Sequence, residues 1–164
     1  LFASLVEEWP EFLGYLISFA FIGMSWMTHA RVTGHMKGGD TAAAGLNLLA
    51  LLFIALLPFS TNLMVSNIGG TDERFAVLVY GINVLVASVM LTLLMVYLVR
   101  QRTLLQGEVA DETVAALTRQ RRISNGVWLI AVVCALIAPT VAVGLYVLAT
   151  VLMLALPFLR LRRI

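Results

Sequence analysis

The chain has little charge. Asp, Glu, Lys and Arg make up 12% of its 164 residues, against a hydrophobic share of 61%. Soluble domains average about 25% charged residues. A soluble chain of this length could not bury so much apolar surface in one core, whereas lipid removes the difficulty. Cysteine is nearly missing too: Cys134 stands alone in an apolar run. A single cysteine makes no intrachain disulfide and no paired-thiol metal or redox site, so a small core thiol is the role expected of it. A Ser/His/Asp set, an HExxH helix and a Walker loop are absent as well. Nothing points to bond-breaking chemistry, so no enzyme activity, cofactor or metal site is expected. The net charge of +2 is small, and no nucleic-acid partner is expected.

What is present is long charge-free runs. Phe12–Ala30 spans 19 residues without a charged side chain, Thr41–Thr71 spans 31, Phe75–Val99 spans 25 and Ile123–Leu159 spans 37. About 20 apolar residues cross a bilayer as a helix. The first three runs supply one span each. The fourth is long enough for two short spans joined at Ala138-Pro139-Thr140, where proline ends one helix and suits the start of the next. The expected spans are residues 10–30, 42–66, 75–99, 122–138 and 141–159, here A to E. A barrel would need polar and apolar residues to alternate, and these runs do not. The expected fold is an all-α, polytopic transmembrane helix bundle forming a single domain over residues 1–164.

One connection is charged, residues 100–121. Its acids come early (Glu108, Asp111, Glu112) and its arginines late (Arg119, Arg121, then Arg122). That order suits a helix dipole. It reads either as a short surface helix running into span D, with Asp111 as its N-cap, or as a solvated linker.

The basic residues are unevenly spread. Arg31, Lys37, Arg100, Arg102, Arg119, Arg121, Arg122, Arg160, Arg162 and Arg163 fall on one side of the threaded chain, and Arg74 alone on the other. The basic side is expected to be cytoplasmic, which puts the C-terminus inside and the acidic start (Glu7, Glu8, Glu11) outside. An acidic outside start without a signal peptide leads to the expectation of a preceding helix, beginning in the cytoplasm, and of six spans per subunit.

Polar residues within spans are costly and each is a candidate site. In span A, Ser18, Ser25 and Trp26 are read as sharing a face, with His29 one turn on. They are either glue between helices or a hydrogen-bonding face for a polar motif on a neighbour. In span B, Asn47 must find partners, and Pro58 is expected to kink the helix. Asn83, Ser88 and Thr92 in span C are read as packing. Apart from Glu11 and Arg122 at their very ends, the spans hold no Asp, Glu, Lys or Arg, which argues against a proton-coupled pump.

Several of these pieces occur together. Trp9-Pro10-Glu11-Phe12-Leu13-Gly14-Tyr15-Leu16-Ile17-Ser18-Phe19 is followed by Gly23-Met24-Ser25-Trp26 and His29, then by Leu46-Asn47-Leu48-Leu49 and Leu57-Pro58-Phe59-Ser60-Thr61. In order and spacing they resemble the transmembrane protein 175 family in its prokaryotic form. The resemblance implies a potassium-selective, leak-type channel of the bacterial inner membrane, with six helices per subunit and a homotetrameric pore. It implies potassium as the permeant ion, no cofactor, and the bilayer and further copies of the chain as partners. In that family the first helix lines the pore and carries a Phe-Ser-Asp motif held by polar partners on the next two helices. Carried onto this chain, those partners are Trp26, His29 and Asn47. Pro58 and Phe59 match the family's span-B signature at the helix kink. No Phe-Ser-Asp occurs in these 164 residues, so gate and selectivity residues are not named. A small secondary transporter using Pro58 and Asn62, and a non-conducting scaffold, remain the alternatives.

Overall fold

The computed structural model describes residues 9–33, 40–101 and 111–161. All regular structure among them is helical: α1 (Trp9–Thr33), α2 (Thr41–Ala55), α3 (Leu57–Ser66), α4 (Glu73–Arg100), α5 (Asp111–Ile137) and α6 (Pro139–Leu161). The stretches Thr41–Ser66, Glu73–Arg100 and Thr118–Ile137 are each long and apolar enough to cross a membrane. Shorter apolar helices run over Gly14–Met27 and Pro139–Leu152, inside α1 and α6. The protein is a multi-pass membrane protein.

Successive spans reverse direction, α2 and α3 together making one of them, which gives the bundle two ends. At one end Tyr97 of α4 donates its hydroxyl to Asp40, which also caps α2 by accepting from the Ala43 amide at 2.8 Å. At the other, Thr140 of α6 donates to Glu73 of α4 at 3.0 Å. The α3–α4 turn lies at this second end, and Gly69 enters it with φ 74°, a left-handed conformation open to glycine.

Two sequence features set the breaks. Proline has no amide hydrogen to donate into the helix. Span B is therefore interrupted at Leu56, with Pro58 in the first turn of α3. Pro139 likewise opens α6, leaving Ala138 as the one residue between α5 and α6. The charged connection differs from a pure linker: helix begins at Asp111 and runs unbroken to Ile137, so surface segment and fourth span are one helix. The capping role expected of Asp111 lies outside the described side chains. Lys37, Arg102, Glu108, Arg162, Arg163 and the acidic Glu7 and Glu8 lie outside the described residues.

The core is centred on α4, which packs against each of the other five helices. Its inner face presents Val77, Tyr80, Val84 and Ala87 to Trp128 of α5 and Tyr146 of α6. Phe21 of α1 meets Trp128 edge-on at 5.6 Å, and Tyr80 meets Tyr146 edge-on at 5.2 Å. Such aromatic pairs contribute roughly 0.5–1.5 kcal/mol each beyond their burial. The Tyr146 hydroxyl lies against Gly81, where any Cβ would overlap it. Cys134 is half-buried against this core. A polar clamp joins α4 to α5: Ser88 donates to Asn125 Oδ1 at 2.6 Å, and Asn125 Nδ2 donates to Thr92 at 3.1 Å.

Candidate functional site

The polar residues of α1 do not share one face. Ser18 and Ser25 are buried, while Trp26 is 65% exposed. The reason is helical geometry. Seven residues make almost two full turns, which returns Ser25 to the side of Ser18; the eighth carries Trp26 about 100° beyond Ser25 and about 80° away from Ser18. His29, three residues beyond Trp26, sits beneath its ring, with centroids 6.3 Å apart and planes inclined by 23°. Trp26 and His29 are thus brought together on the flank of α1 rather than on its buried side.

Asn47 comes to the same place from α2. The turn of helix that Asp40 caps carries Asn47 on its second turn, level with the last turns of the antiparallel α1. His29 Nε2 donates to Asn47 Oδ1 at 2.6 Å. An amide oxygen can only accept, so this bond holds the imidazole with a proton on Nε2 and fixes its plane. Beside the pair lies a cleft of about 40 Å³ lined by Ile22, Ser25, Trp26, His29, Leu51 and Ile54. It is partly open to the outside of the bundle. The aromatic and aliphatic residues around it, Phe19, Met27, Leu48 and Leu52, are exposed. The three residues named from the resemblance therefore form one cluster on an apolar face.

Pro58 and Phe59 stand apart from that cluster. Both are exposed on the first turn of α3, at the interruption of span B. Asn62, the polar residue on which a transporter site would rest, is exposed and accepts from Ser66 of its own helix at 3.3 Å.

The structure adds a second polar cluster that the sequence reading passed over. Ser18 and Thr61 are hydrogen-bonded between α1 and α3, and Asn83 Nδ2 of α4 donates to Ser60 of α3 at 3.0 Å. The signal was available in part. Ser and Thr inside a membrane helix commonly bond a carbonyl one turn back, as Ser60 and Thr61 both do to Leu57. Which outside residues they meet depends on the rotation of three helices, and no spacing rule gives that.

The chain and its fold match known proteins. Residues 1–58 match the family model described as the endosomal/lysosomal potassium channel TMEM175. A potassium channel from Chamaesiphon minutus is 30% identical over 150 residues, covering 91% of this chain and 74% of the relative. A potassium channel from a Chryseobacterium species is 26% identical over 155 residues, covering 93% of this chain and 76% of that one. The crystal structure of a lysosomal potassium-selective channel TMEM175 homologue from Chamaesiphon minutus superposes with a TM-score of 0.81 at 27% identity, over 93% of this chain and 77% of that one. These relatives are ion channels and not enzymes. On the shared length, the shared helical arrangement and the residues of α1 and α2 that carry the match, this chain belongs to the TMEM175 family of ion channels.

Proposed function

We propose that the chain is a subunit of a potassium-selective, leak-type channel whose pore forms along the axis of a homo-oligomer, a homotetramer on the family resemblance. Trp26, His29 and Asn47 brace the pore-lining helix that the resemblance implies. The observation that carries this is the 2.6 Å bond between His29 and Asn47 beside an indole left 65% exposed. A histidine and an asparagine paired within an apolar face are costly unless they serve a neighbour. The cleft beside them and the apolar rim around them suit a helix carrying one polar side chain.

The subunit lies in the bacterial inner membrane with the Asp40 end of the bundle in the cytoplasm. Support comes from the arginines: Arg100, Arg119 and Arg122 are exposed at that end, and Arg74 with Asp72 at the other. The C-terminus is then cytoplasmic. Conduction needs no bound cofactor, since potassium itself is the permeant ion.

The test is potassium flux into liposomes from protein purified from its complete gene. A potassium-selective flux that does not saturate and needs no coupling ion is expected. Flux that saturates and requires a coupling ion would replace the channel with a transporter. No flux from a monodisperse oligomer would leave a scaffold. His29→Ala and Asn47→Ala are each expected to lower the current or loosen the oligomer. Unchanged assembly and current in both would remove the bracing role.

A further inference from the structure

The channel reading concerns the Asp40 end of α1; nearer its middle, at Ser18, the same helix carries a second attachment. The helix α3 is ten residues long and is separated from α2 at Leu56. Helical bonds continue on both sides of the break, Leu56 to Leu52 at 3.1 Å and Ser60 to Leu56 at 3.0 Å, but Pro58 leaves one out, so tertiary contacts share with the backbone in setting the tilt of α3.

Those contacts can be followed hydrogen by hydrogen. Ser60 donates to the Leu57 carbonyl at 3.1 Å, and Thr61 donates to the same oxygen at 2.8 Å. Each hydroxyl has one hydrogen, and both are now committed. Thr61 therefore accepts from Ser18 of α1, and Ser60 accepts from Asn83 of α4. Two donors, one from each flanking helix, end on two hydroxyls that are chained to a single carbonyl. All four side chains are buried. The α1–α3 seam is close here, since a Cβ on Gly14 would stand 2.6 Å from Val65 and 3.1 Å from Thr61. Gly14 and Ser18 are one turn apart on α1, as are Thr61 and Val65 on α3, so small side chains let the two backbones approach.

Beside its apolar contact through Phe21, the helix α1 is thus held at two polar points. Ser18 holds it to α3, and His29 holds it to α2, eleven residues or about 16 Å further along the axis. We propose that Ser18, Ser60, Thr61 and Asn83 are positioning residues for the channel: through α3 they set the tilt of α1 about its His29 attachment, and with it the balance between conducting and non-conducting arrangements. This rests on the channel reading above. The four residues touch no ion; they act through the helix that carries Trp26 and His29.

Single-channel recording of the full-length protein in planar bilayers tests it, with each variant matched for oligomer size and thermal stability. Thr61→Val keeps the volume and loses the hydroxyl; Ser18→Ala removes the same bond from the other side; Thr61→Ser restores it. Both Thr61→Val and Ser18→Ala are expected to change open probability about threefold, the equilibrium equivalent of one interhelical bond in a membrane protein. Unitary conductance and the potassium-to-sodium reversal potential should not move, and Thr61→Ser should behave as wild type. If Thr61→Val fails to assemble, Ser18→Ala carries the test by the same readout. Open probability unchanged in Ser18→Ala and in any assembled Thr61→Val overturns the proposal, even where stability falls. So does Thr61→Ser behaving like Thr61→Val, or a change in conductance accompanying the change in open probability. Absence of potassium current from wild type overturns the channel reading and this proposal together, whereas wild-type current with indifferent variants overturns this proposal alone.

Discussion

Trp128 and Trp26 are the same side chain in two different settings. Trp128 is fully buried between Phe21 and Tyr146, at the meeting of α1, α5 and α6 beneath α4. Trp26 stands 65% exposed over His29, on a face made by α1 and α2. The α4-centred region is packed as a core, with aromatic edges against faces and a glycine where a tyrosine needs room. The α1–α2 face has its polar pair formed but its apolar rim open. In a membrane, exposure to lipid costs an aliphatic rim little, so an open rim alone says nothing. A polar pair within it is what needs a reason. The contrast separates the part of the molecule packed as a core from the face that the proposed function assigns to a neighbour.

Substitutions should divide along the same line. The largest effect is expected in the core. Trp128→Ala should destabilise the fold by about 3–5 kcal/mol, the usual cost of emptying a large aromatic site, seen as a lower midpoint of unfolding in detergent. Gly81→Ala should cost about 1–3 kcal/mol by displacing the Tyr146 hydroxyl, the penalty of overpacking. A second substitution, Tyr146→Phe, should recover part of that loss. A stable, well-packed Gly81→Ala variant would show that α6 yields, and would blur the contrast. On the open face the stability cost should be smaller. His29→Ala and Asn47→Ala should each cost about 1 kcal/mol, and together no more than either alone, because they break one bond. Their effect on current should nonetheless exceed that of Trp128→Phe. The smallest effect concerns pH. The Tyr97 hydroxyl, and after it the Ala43 amide, hold the Asp40 carboxyl below its ordinary value. A depressed carboxylate contributes stability that is present above its unfolded value, about 3.9, and is lost as pH falls through the folded value. Unfolding midpoints should therefore drop more steeply below pH 4 in wild type than in Asp40→Asn. Parallel curves would mean that the α2 cap does not feel the charge.

Much of the bundle was legible in the sequence because lipid leaves the backbone few choices. Long uncharged runs become helices, and prolines mark where they break. Pro58 and Pro139 could be read in this way, since the missing amide acts locally. The family resemblance names His29 and Asn47 as partners of a neighbouring helix; that they bond each other is seen only in the structure, because it depends on which helices are neighbours. The single face expected for Ser18, Ser25 and Trp26 does not form, since one residue of helix is a rotation of about 100° and turns Trp26 away from the two buried serines. Asn83 and Thr92 were set aside as packing. Each turned out to bond a residue on another helix, Ser60 and Asn125 respectively, and those partners are fixed by helix rotation that no single run encodes. The aromatic chain from Phe21 to Tyr80 was invisible for the same reason.

The division between core and open face is tested most directly by measuring potassium flux and thermal stability side by side for wild type, His29→Ala and Asn47→Ala in the same liposome and detergent preparations. Potassium-selective flux from wild type, strongly reduced in both variants whose unfolding midpoints stay close to wild type, is the expected result. Flux that falls only in proportion to lost stability, or that is unchanged in both, would contradict it.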